Sequence, residues 1–212
     1  MILTRRDSDI LQALTHRVRL LSLEQIARTW WRDTKHSEGN AAKRLKELEE
    51  EDLLRRHVLH AHPELPLPCP LFAWTPGQPR PDYGALSYRC MSRWTEPFRP
   101  TPAFLATRRA ANHFGGILRK PPKEVEENHD LHLAGMFLRV RASRPALLPH
   151  WLSEAKVKRS RPDAPGEKLP DALIRVAGGD PIAFEFGGAY PRDKVQSFHE
   201  WCERKGHGYE LW

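Results

Sequence analysis

The sequence has few cysteines and no long apolar stretch. Its three cysteines are far apart, and no pair has the spacing of a metal site or a redox motif. This pattern predicts reduced thiols and a cytoplasmic protein. No apolar run approaches the roughly 18 residues that a membrane helix needs, so we expect no membrane partner. No apolar segment follows Arg5 and Arg6, which argues against a signal peptide.

Acidic residues are scarce in the middle of the chain. Residues 1–60 carry 12 Lys/Arg and 10 Asp/Glu, residues 61–125 carry 9 and 4, and residues 126–212 carry 13 of each. The net charge of +7 therefore comes from the first two segments. A basic surface favours contact with phosphate backbones, although many basic proteins bind no nucleic acid.

Three helices are predicted in the first 54 residues. The first follows Thr4 and the second follows Ser22, each with a carboxylate or amide side chain three residues later, which is the capping-box pattern. The third begins near Ser37 and repeats apolar residues at helical spacing. A short polar loop over 31–36 separates the second and third helices, as in a helix-turn-helix motif.

The third predicted helix has the composition of a DNA-recognition helix. Its first half is rich in hydrogen-bond donors, whereas its far end over 47–52 is acidic. Because phosphates repel carboxylates, we expect the acidic end to point away from DNA. The candidate outward contacts to bases and phosphates are Lys35, Ser37, Asn40, Lys43 and Arg44. The alternative is that Lys43, Arg44 and Lys46 form a solvated face, with some of them paired with the acidic residues.

Two β-rich segments after this helix predict a winged hairpin. They cover 53–60 and 70–75, and a proline-rich turn joins them. Arg55 and Arg56 would lie beside this wing and hold phosphates. Residues 1–75 are therefore predicted to form a winged helix-turn-helix domain that binds double-stranded DNA.

Residues 76–125 are predicted to be a basic, aromatic linker or extension. Arginines alternate with aromatic residues between 88 and 104, a pattern that can follow single-stranded nucleic acid. A half-buried sheet that extends the wing or bridges two domains explains this pattern better. A short helix is expected over 107–114, ended by Gly115.

The element order predicted for residues 126–212 is α-β-β-β-α-β. The predicted helices cover 126–141 and 193–204, and the predicted strands cover 151–157, 169–177, 181–187 and 208–212. Asp171 opens the second strand, and Glu185 lies in the third. This order, with these carboxylates, resembles the PD-(D/E)xK or restriction-endonuclease-like fold. The resemblance implies that Asp171 and Glu185 would hold Mg²⁺, which activates water against a phosphodiester.

One residue departs from that resemblance. Position 187 is glycine, where the pattern has a lysine two residues after the glutamate. Candidate replacements for the lysine are Lys194, Lys156 and Lys158, and candidate third oxygen ligands are Glu154, Glu126 and Glu127. A non-catalytic nuclease-like domain without a cofactor is therefore favoured. A Mg²⁺-dependent endonuclease using Asp171, Glu185, Glu154 and Lys194, an unrelated α/β domain and a protein-interaction adaptor stay open.

Short segments in both halves of the chain share a second resemblance. They are Leu3-Thr4-Arg5-Arg6-Asp7, Leu23-Glu24-Gln25-Ile26-Ala27, Ala41-Ala42-Lys43-Arg44-Leu45, His129-Asp130-Leu131, and Pro170-Asp171-Ala172 with Phe184-Glu185. Together they resemble the replication-relaxation family of plasmids and other mobile elements. The resemblance implies a DNA-binding protein in replication control, mobilisation or transcription, with replication or mobilisation proteins as partners. The resemblance does not imply catalysis. A homodimer stays an alternative, but no heptad pattern in the sequence marks a dimer helix.

The predicted fold class is thus mixed α+β and α/β. It consists of a winged helix-turn-helix over 1–75, an extension over 76–125 and a restriction-endonuclease-like domain over 126–212.

Overall fold

The computed structural model describes residues 2–160, 169–176 and 178–212. It shows a mixed α+β protein with two open β-sheets. The helices in these residues are α1 (Arg5–His16), α2 (Leu23–Trp30), α3 (Ser37–Glu50), α4 (Tyr83–Met91), α5 (Arg108–His113), α6 (Glu124–Ser143), α7 (Glu154–Ser160) and α8 (Arg192–Lys205), with a 3₁₀ helix at Pro145–His150. The strands are β1 (Leu21–Ser22), β2 (Leu54–Ala61), β3 (Phe72–Trp74), β4 (Arg99–Ala106), β5 (Trp151–Ser153), β6 (Ala172–Ile174), β7 (Ile182–Glu185) and β8 (Gly208–Leu211). Among the described residues, no helix is both long and apolar enough to cross a membrane.

The chain divides into two compact units, each built from two segments. Unit 1 consists of Met1–Glu64 and Pro97–Leu138, and unit 2 consists of Leu65–Glu96 and Arg139–Trp212. The boundaries predicted at 75 and 125 do not coincide with this division. The predicted segment 76–125 is divided at Glu96, with its first part in unit 2 and its second part in unit 1. The domains 1–75, 76–125 and 126–212 stay a prediction.

Unit 1 begins with the three predicted helices, and both predicted capping boxes are present. Thr4 and Asp7 exchange their bonds at 2.7 and 3.2 Å, and Ser22 and Gln25 exchange theirs at 3.0 and 3.1 Å. Each box satisfies amides that a helix start leaves without a partner. Helix α3 begins differently, because its N-cap His36 has φ +60° and makes no side-chain cap bond.

The sheet of unit 1 has the strand order β1-β4-β2, with antiparallel pairs. Strands β2 and β4 pair from Leu54 opposite Ala106 to Ala61 opposite Arg99. The predicted pairing of β2 with the segment 70–75 is wrong, because that segment forms β3, which pairs with β8 in the other sheet. The half-buried sheet expected between 88 and 104 is present only in part. Arg99–Ala106 forms β4, which pairs with β1 and β2, whereas Tyr83–Met91 is a helix.

Helix α6 covers one face of this sheet with its first half. Its Leu131 lies in a buried cluster with Leu20, Leu59, Ala61, Ala103 and Leu105. Glu127 accepts a bond from the His60 N–H at 2.6 Å and lies 3.0 Å from His57 Nε2. The helix predicted over 126–141 is confirmed, but its residues up to Leu138 belong to unit 1 rather than to a C-terminal domain.

The sheet of unit 2 has the strand order β3-β8-β7-β6-β5. Strand β6 is antiparallel to both β5 and β7. Helix α8 leads from β7 to β8, which is parallel to β7 and antiparallel to β3. The strands predicted over 181–187 and 208–212 and the helix predicted over 193–204 are confirmed, with shorter strands. The strand predicted over 169–177 is confirmed for Ala172–Ile174, and Ala177 lies outside the described residues.

Helices α7 and α4 of unit 2 were not anticipated. The strand predicted over 151–157 ends at Ser153, and helix α7 follows, because Glu154-Ala155-Lys156 favours helix over strand. Helix α4 follows the proline-rich stretch, where the Asp82 carboxylate caps it by accepting the Ala85 N–H at 3.0 Å.

Candidate nucleic-acid interface and carboxylate pair

The start of α3 presents most of the predicted DNA contacts to solvent. Lys35, Asn40 and Lys43 are exposed, and Ser37 is partly exposed. Asn40 Nδ2 donates to the Lys35 carbonyl at 3.1 Å, which holds the turn that carries Lys35. A Cβ added to Gly39 would have no atom within 4 Å, so the backbone there is open to a close approach. This end of α3 is therefore an exposed surface rich in donors.

Arg44 does not point outward as predicted. Its guanidinium donates to both oxygens of Asp7, at 2.7 and 3.1 Å, and to Glu47 Oε2 at 2.5 Å. Asp7 is fully buried, and burial acts to raise the pKa of its carboxyl, but the bonds from Arg44 and Thr4 outweigh burial and hold that pKa below its usual value. A buried carboxylate needs such a partner. Arg44 thus joins α3 to α1, and the paired-cation alternative is confirmed for this residue.

The acidic end of α3 is bound within unit 1. The Glu49 carboxylate accepts the Arg56 N–H at 3.0 Å, and Arg109 donates to the Glu51 carbonyl at 2.8 Å. Thr107 Oγ1 donates to the Asp52 carbonyl at 2.5 Å. These bonds fix the acidic end beside α5 and at the end of the β2–β4 pair where Leu54 lies opposite Ala106.

Arg55 and Arg56 are exposed, but they lie at that same end of the β2–β4 pair. Strands rise about 3.3 Å per residue, so the far end of β2 at Ala61 is roughly 20 Å from Arg55. The residues opposite each other near the far end are His60 and Pro100. The Arg56 N–H bonds the Glu49 carboxylate, so a negative charge lies next to Arg56 and reduces the attraction of this residue for phosphate.

Sequence reasoning missed one cation next to α3. The Arg6 guanidinium lies 4.3 Å from the centroid of the Trp31 ring, and Trp31 is the C-cap of α2. The signal available in the sequence was two arginines in the first turn of α1, where cations are unfavourable because of the helix dipole.

Asp171 and Glu185 are neighbours in unit 2, as predicted from the strand order. The Asp171 N–H donates to Glu185 Oε2 at 3.2 Å, and the Phe186 N–H donates to Asp171 Oδ2 at 2.8 Å. Tyr190 Oη donates to Glu185 Oε1 at 2.6 Å, and Glu185 is only 2% exposed. Burial raises the pKa of Tyr190, and the carboxylate charges of Glu185 and Asp171 raise it further, so the phenol stays a donor. Protein donors therefore already occupy both oxygens of Glu185.

The residues predicted to complete a metal site are elsewhere or have other partners. Glu154 lies on α7 and pairs with Lys158 at 2.5 Å. Glu126 pairs with Arg19 in unit 1, where Glu127 also lies. Among the described residues, no three His, Cys, Asp or Glu side chains group in a way that could hold a metal ion.

The position of the missing lysine is packed to accept only glycine. A Cβ on Gly187 would lie 2.9 Å from Cys90 Sγ and 2.9 Å from Leu211 Cδ1. Of the proposed replacements, Lys156 is exposed on α7, and Lys194 Nζ lies 3.7 Å from the centroid of the Tyr190 ring. Lys194 is thus close to the residue that bonds Glu185, but it stacks on an aromatic face.

No family model, curated protein or solved structure matches this chain. The resemblance to the replication-relaxation family therefore stays a prediction that rests on the short segments quoted above. The function has to be inferred from the contacts and charges of the described residues.

Proposed function

We propose that this protein binds double-stranded DNA through unit 1, which we interpret as a winged helix-turn-helix. The exposed, donor-rich start of α3 carries this proposal. Helices α2 and α3 would form the helix-turn-helix, and the antiparallel pair of strands β2 and β4 would take the place of the wing. The short strand β1, which pairs with the middle of β4, connects this sheet to the helices.

Two lysines distinguish the start of α3 from the rest of the helix. Among the described residues, neither Lys35 nor Lys43 takes part in an ion pair, whereas Lys46 lies 3.8 Å from Glu50. An unpaired cation can release a counterion from DNA when it binds a phosphate, which favours association. Asn40 is the residue in this stretch suited to an adenine edge.

The acidic end of α3 gives the proposed complex a polarity. Its carboxylates would repel phosphates, and Glu49 is held beside Arg56 at the start of β2. Arg55 and Arg56 stay proposed phosphate contacts, with a smaller share than Lys43. The connection between β2 and β4 includes Leu65–Glu96 of unit 2, so we expect no short wing-tip loop to enter the minor groove.

Unit 2 is proposed to be a nuclease-like domain without catalytic activity. Three antiparallel strands followed by α8 and the parallel strand β8 support the resemblance to the PD-(D/E)xK fold. The packed glycine at 187 and the occupied oxygens of Glu185 favour a role in structure or interaction. The proposed setting is replication control, mobilisation or transcription of a plasmid or mobile element.

Fluorescence anisotropy with a labelled 30-base-pair duplex of mixed sequence tests the proposal. Binding is measured at several salt concentrations for the wild type, Lys43→Ala and Lys46→Ala. Loss of one phosphate contact should reduce the slope of log Kobs against log salt by about one unit in Lys43→Ala. Lys46→Ala removes the same side chain one turn later and should bind as the wild type does. A wild-type protein that does not bind the duplex, or a Lys43→Ala protein with an unchanged slope, contradicts the proposal.

A further inference from the structure

Arg6 is an exposed cation fixed on a buried aromatic ring. Its guanidinium lies over Trp31, which is 5% exposed and closes the C-terminal end of α2. A guanidinium stacked on a ring keeps its N–H edge available for a planar acceptor such as phosphate. Because the indole is held in the core, the guanidinium is oriented before any ligand arrives.

The acidic residues around Arg6 are engaged elsewhere. Asp7 is bonded to Arg44, and Asp9 accepts the Trp30 indole N–H at 2.8 Å. Asp33, two residues after Trp31, lies 3.2 Å from Arg32. Among the described residues, Arg6 has no hydrogen bond or ion pair to an acceptor. An intramolecular ion pair therefore does not explain this arginine.

Helix stability does not explain it either. Arg6 lies in the first turn of α1, where the helix dipole opposes a positive charge. The favourable stacking on Trp31 offsets that cost, so Arg6 contributes little to the net stability of the helix.

The location of Arg6 connects it to the proposed recognition helix. Arg6 precedes Asp7 on α1, and Lys43 precedes Arg44 on α3, and the Asp7–Arg44 bond joins the two helices at this point. The contact with Trp31 adds a link from the same turn of α1 to the end of α2. Arg6 is thus held beside the start of the α2–α3 turn, which carries Lys35.

We infer that Arg6, stacked on Trp31, is a phosphate-binding residue that positions α3 on duplex DNA. This inference rests on the proposed function and adds a site on α1 to it. The ligand is a phosphodiester group of the backbone, so the contact is independent of base sequence. Arg6 acts as a positioning residue, because it would fix the helix relative to the duplex without touching a base.

The test compares the full chain with Arg6→Ala, Arg6→Lys and Lys120→Ala in the same duplex salt series. Arg6→Ala should weaken binding and reduce the salt slope by about one unit. Arg6→Lys keeps the charge and should keep the slope, but it should bind more weakly because an ammonium lacks the planar donor edge. Lys120→Ala is the control for charge loss, because Lys120 follows Ile117, which bonds Thr15 at the opposite end of α1, and its binding should not change.

The outcomes separate this inference from the proposed function. If Arg6→Ala binds as the wild type does while Lys43→Ala is weakened, the inference is overturned and the proposed function stands. If the wild type itself does not bind the duplex, the proposed function fails. Circular dichroism and thermal unfolding establish that each variant is folded, and if Arg6→Ala were not, Arg6→Lys decides alone. An Arg6→Lys protein equal to the wild type in affinity contradicts a role for the stacked guanidinium.

Discussion

The start of α3 in unit 1 and the surroundings of Glu185 in unit 2 use polar side chains in opposite ways. Lys35 and Lys43 are exposed, and neither takes part in an ion pair among the described residues. Glu185 is buried, with both oxygens accepting bonds from the protein. Arg93 of unit 2 is also largely buried and donates to two carbonyls, and burial lowers its pKa to about 10.

This difference separates polar groups that hold the fold from polar groups that can bind a ligand. A buried charge without a partner is costly, so the charges of unit 2 are held by internal partners. An exposed lysine costs little to keep and can bind an anion. Nucleic-acid binding is therefore expected at the start of α3, and the predictions below test each side of the comparison.

The largest expected effect is the loss of stability when Arg44 is replaced. The sequence predicted that Arg44 binds DNA, whereas in the structure it pairs with Asp7 and stabilises the fold. Arg44→Ala would leave the Asp7 carboxylate buried without its guanidinium. The free energy of unfolding should fall by about 3 kcal/mol in urea titrations. Lys46→Ala, an exposed lysine on the same helix, should change it by less than about 0.5 kcal/mol. If Arg44→Ala had the stability of the wild type but bound DNA more weakly, Arg44 would be a DNA contact rather than a stabilising residue.

A pair of glycine substitutions gives the next largest effect, with opposite signs in the two regions. Gly187→Ala places a Cβ 2.9 Å from Cys90 Sγ and Leu211 Cδ1, and it should lower the free energy of unfolding by about 2 kcal/mol. Gly39→Ala lies in α3 with open space around it and should raise that free energy by about 0.5 to 1 kcal/mol. Urea titration measures both. A Gly187→Ala protein as stable as the wild type would show that a side chain fits at position 187. Close packing would then not explain why this position lacks the lysine of the PD-(D/E)xK pattern.

Buried polar groups of unit 2 also predict a pH dependence. His199 is fully buried, and burial lowers its pKa below the usual 6.5, so the folded chain holds it neutral. As the pH falls below about 6.5, the unfolded chain binds a proton that the folded chain does not, and stability is lost. Urea midpoints between pH 7.5 and 5.5 should fall more steeply for the wild type than for His199→Phe. Equal pH dependence in the two proteins would contradict this assignment.

The smallest expected effect is on cleavage of DNA. Supercoiled plasmid incubated with Mg²⁺ or Mn²⁺ should stay intact with the wild type and with Asp171→Ala, because the oxygens of Glu185 are occupied and position 187 has no lysine. Gel electrophoresis detects nicking at low levels. Metal-dependent nicking by the wild type that is lost in Asp171→Ala would establish the endonuclease alternative. The carboxylates of unit 2 would then be catalytic groups rather than structural ones.

Local patterns in the sequence predicted α1, α2, α3, α5, α6 and α8, but they missed α4 and α7. Contacts between distant segments limited the prediction of the sheets. The capping boxes at Thr4 and Ser22 are short-range signals, and both are present. The partner of β2 was missed because a segment of unit 2 intervenes before β4, and alternation of apolar residues does not identify a partner strand. Strand order did bring Asp171 close to Glu185, which needs only neighbouring strands.

The side chains of the candidate interface show the same limit. Arg44 and Lys43 look equivalent in the sequence, since both are cations in the first half of α3. Their contacts differ because Asp7, 37 residues before Arg44, is buried and pairs with Arg44 but not with Lys43. Sequence patterns do not report that burial, so only the folded chain shows that Arg44 pairs with Asp7 while Lys43 stays exposed.

Lysine footprinting tests the central claim most directly. The protein is acetylated briefly with and without the 30-base-pair duplex, and mass spectrometry measures the modification of each lysine. We predict that the duplex protects Lys35 and Lys43, whereas Lys46 and Lys120 react equally in both samples. Protection confined to lysines of unit 2, with Lys35 and Lys43 reacting as they do without DNA, would contradict the proposal that the start of α3 binds DNA.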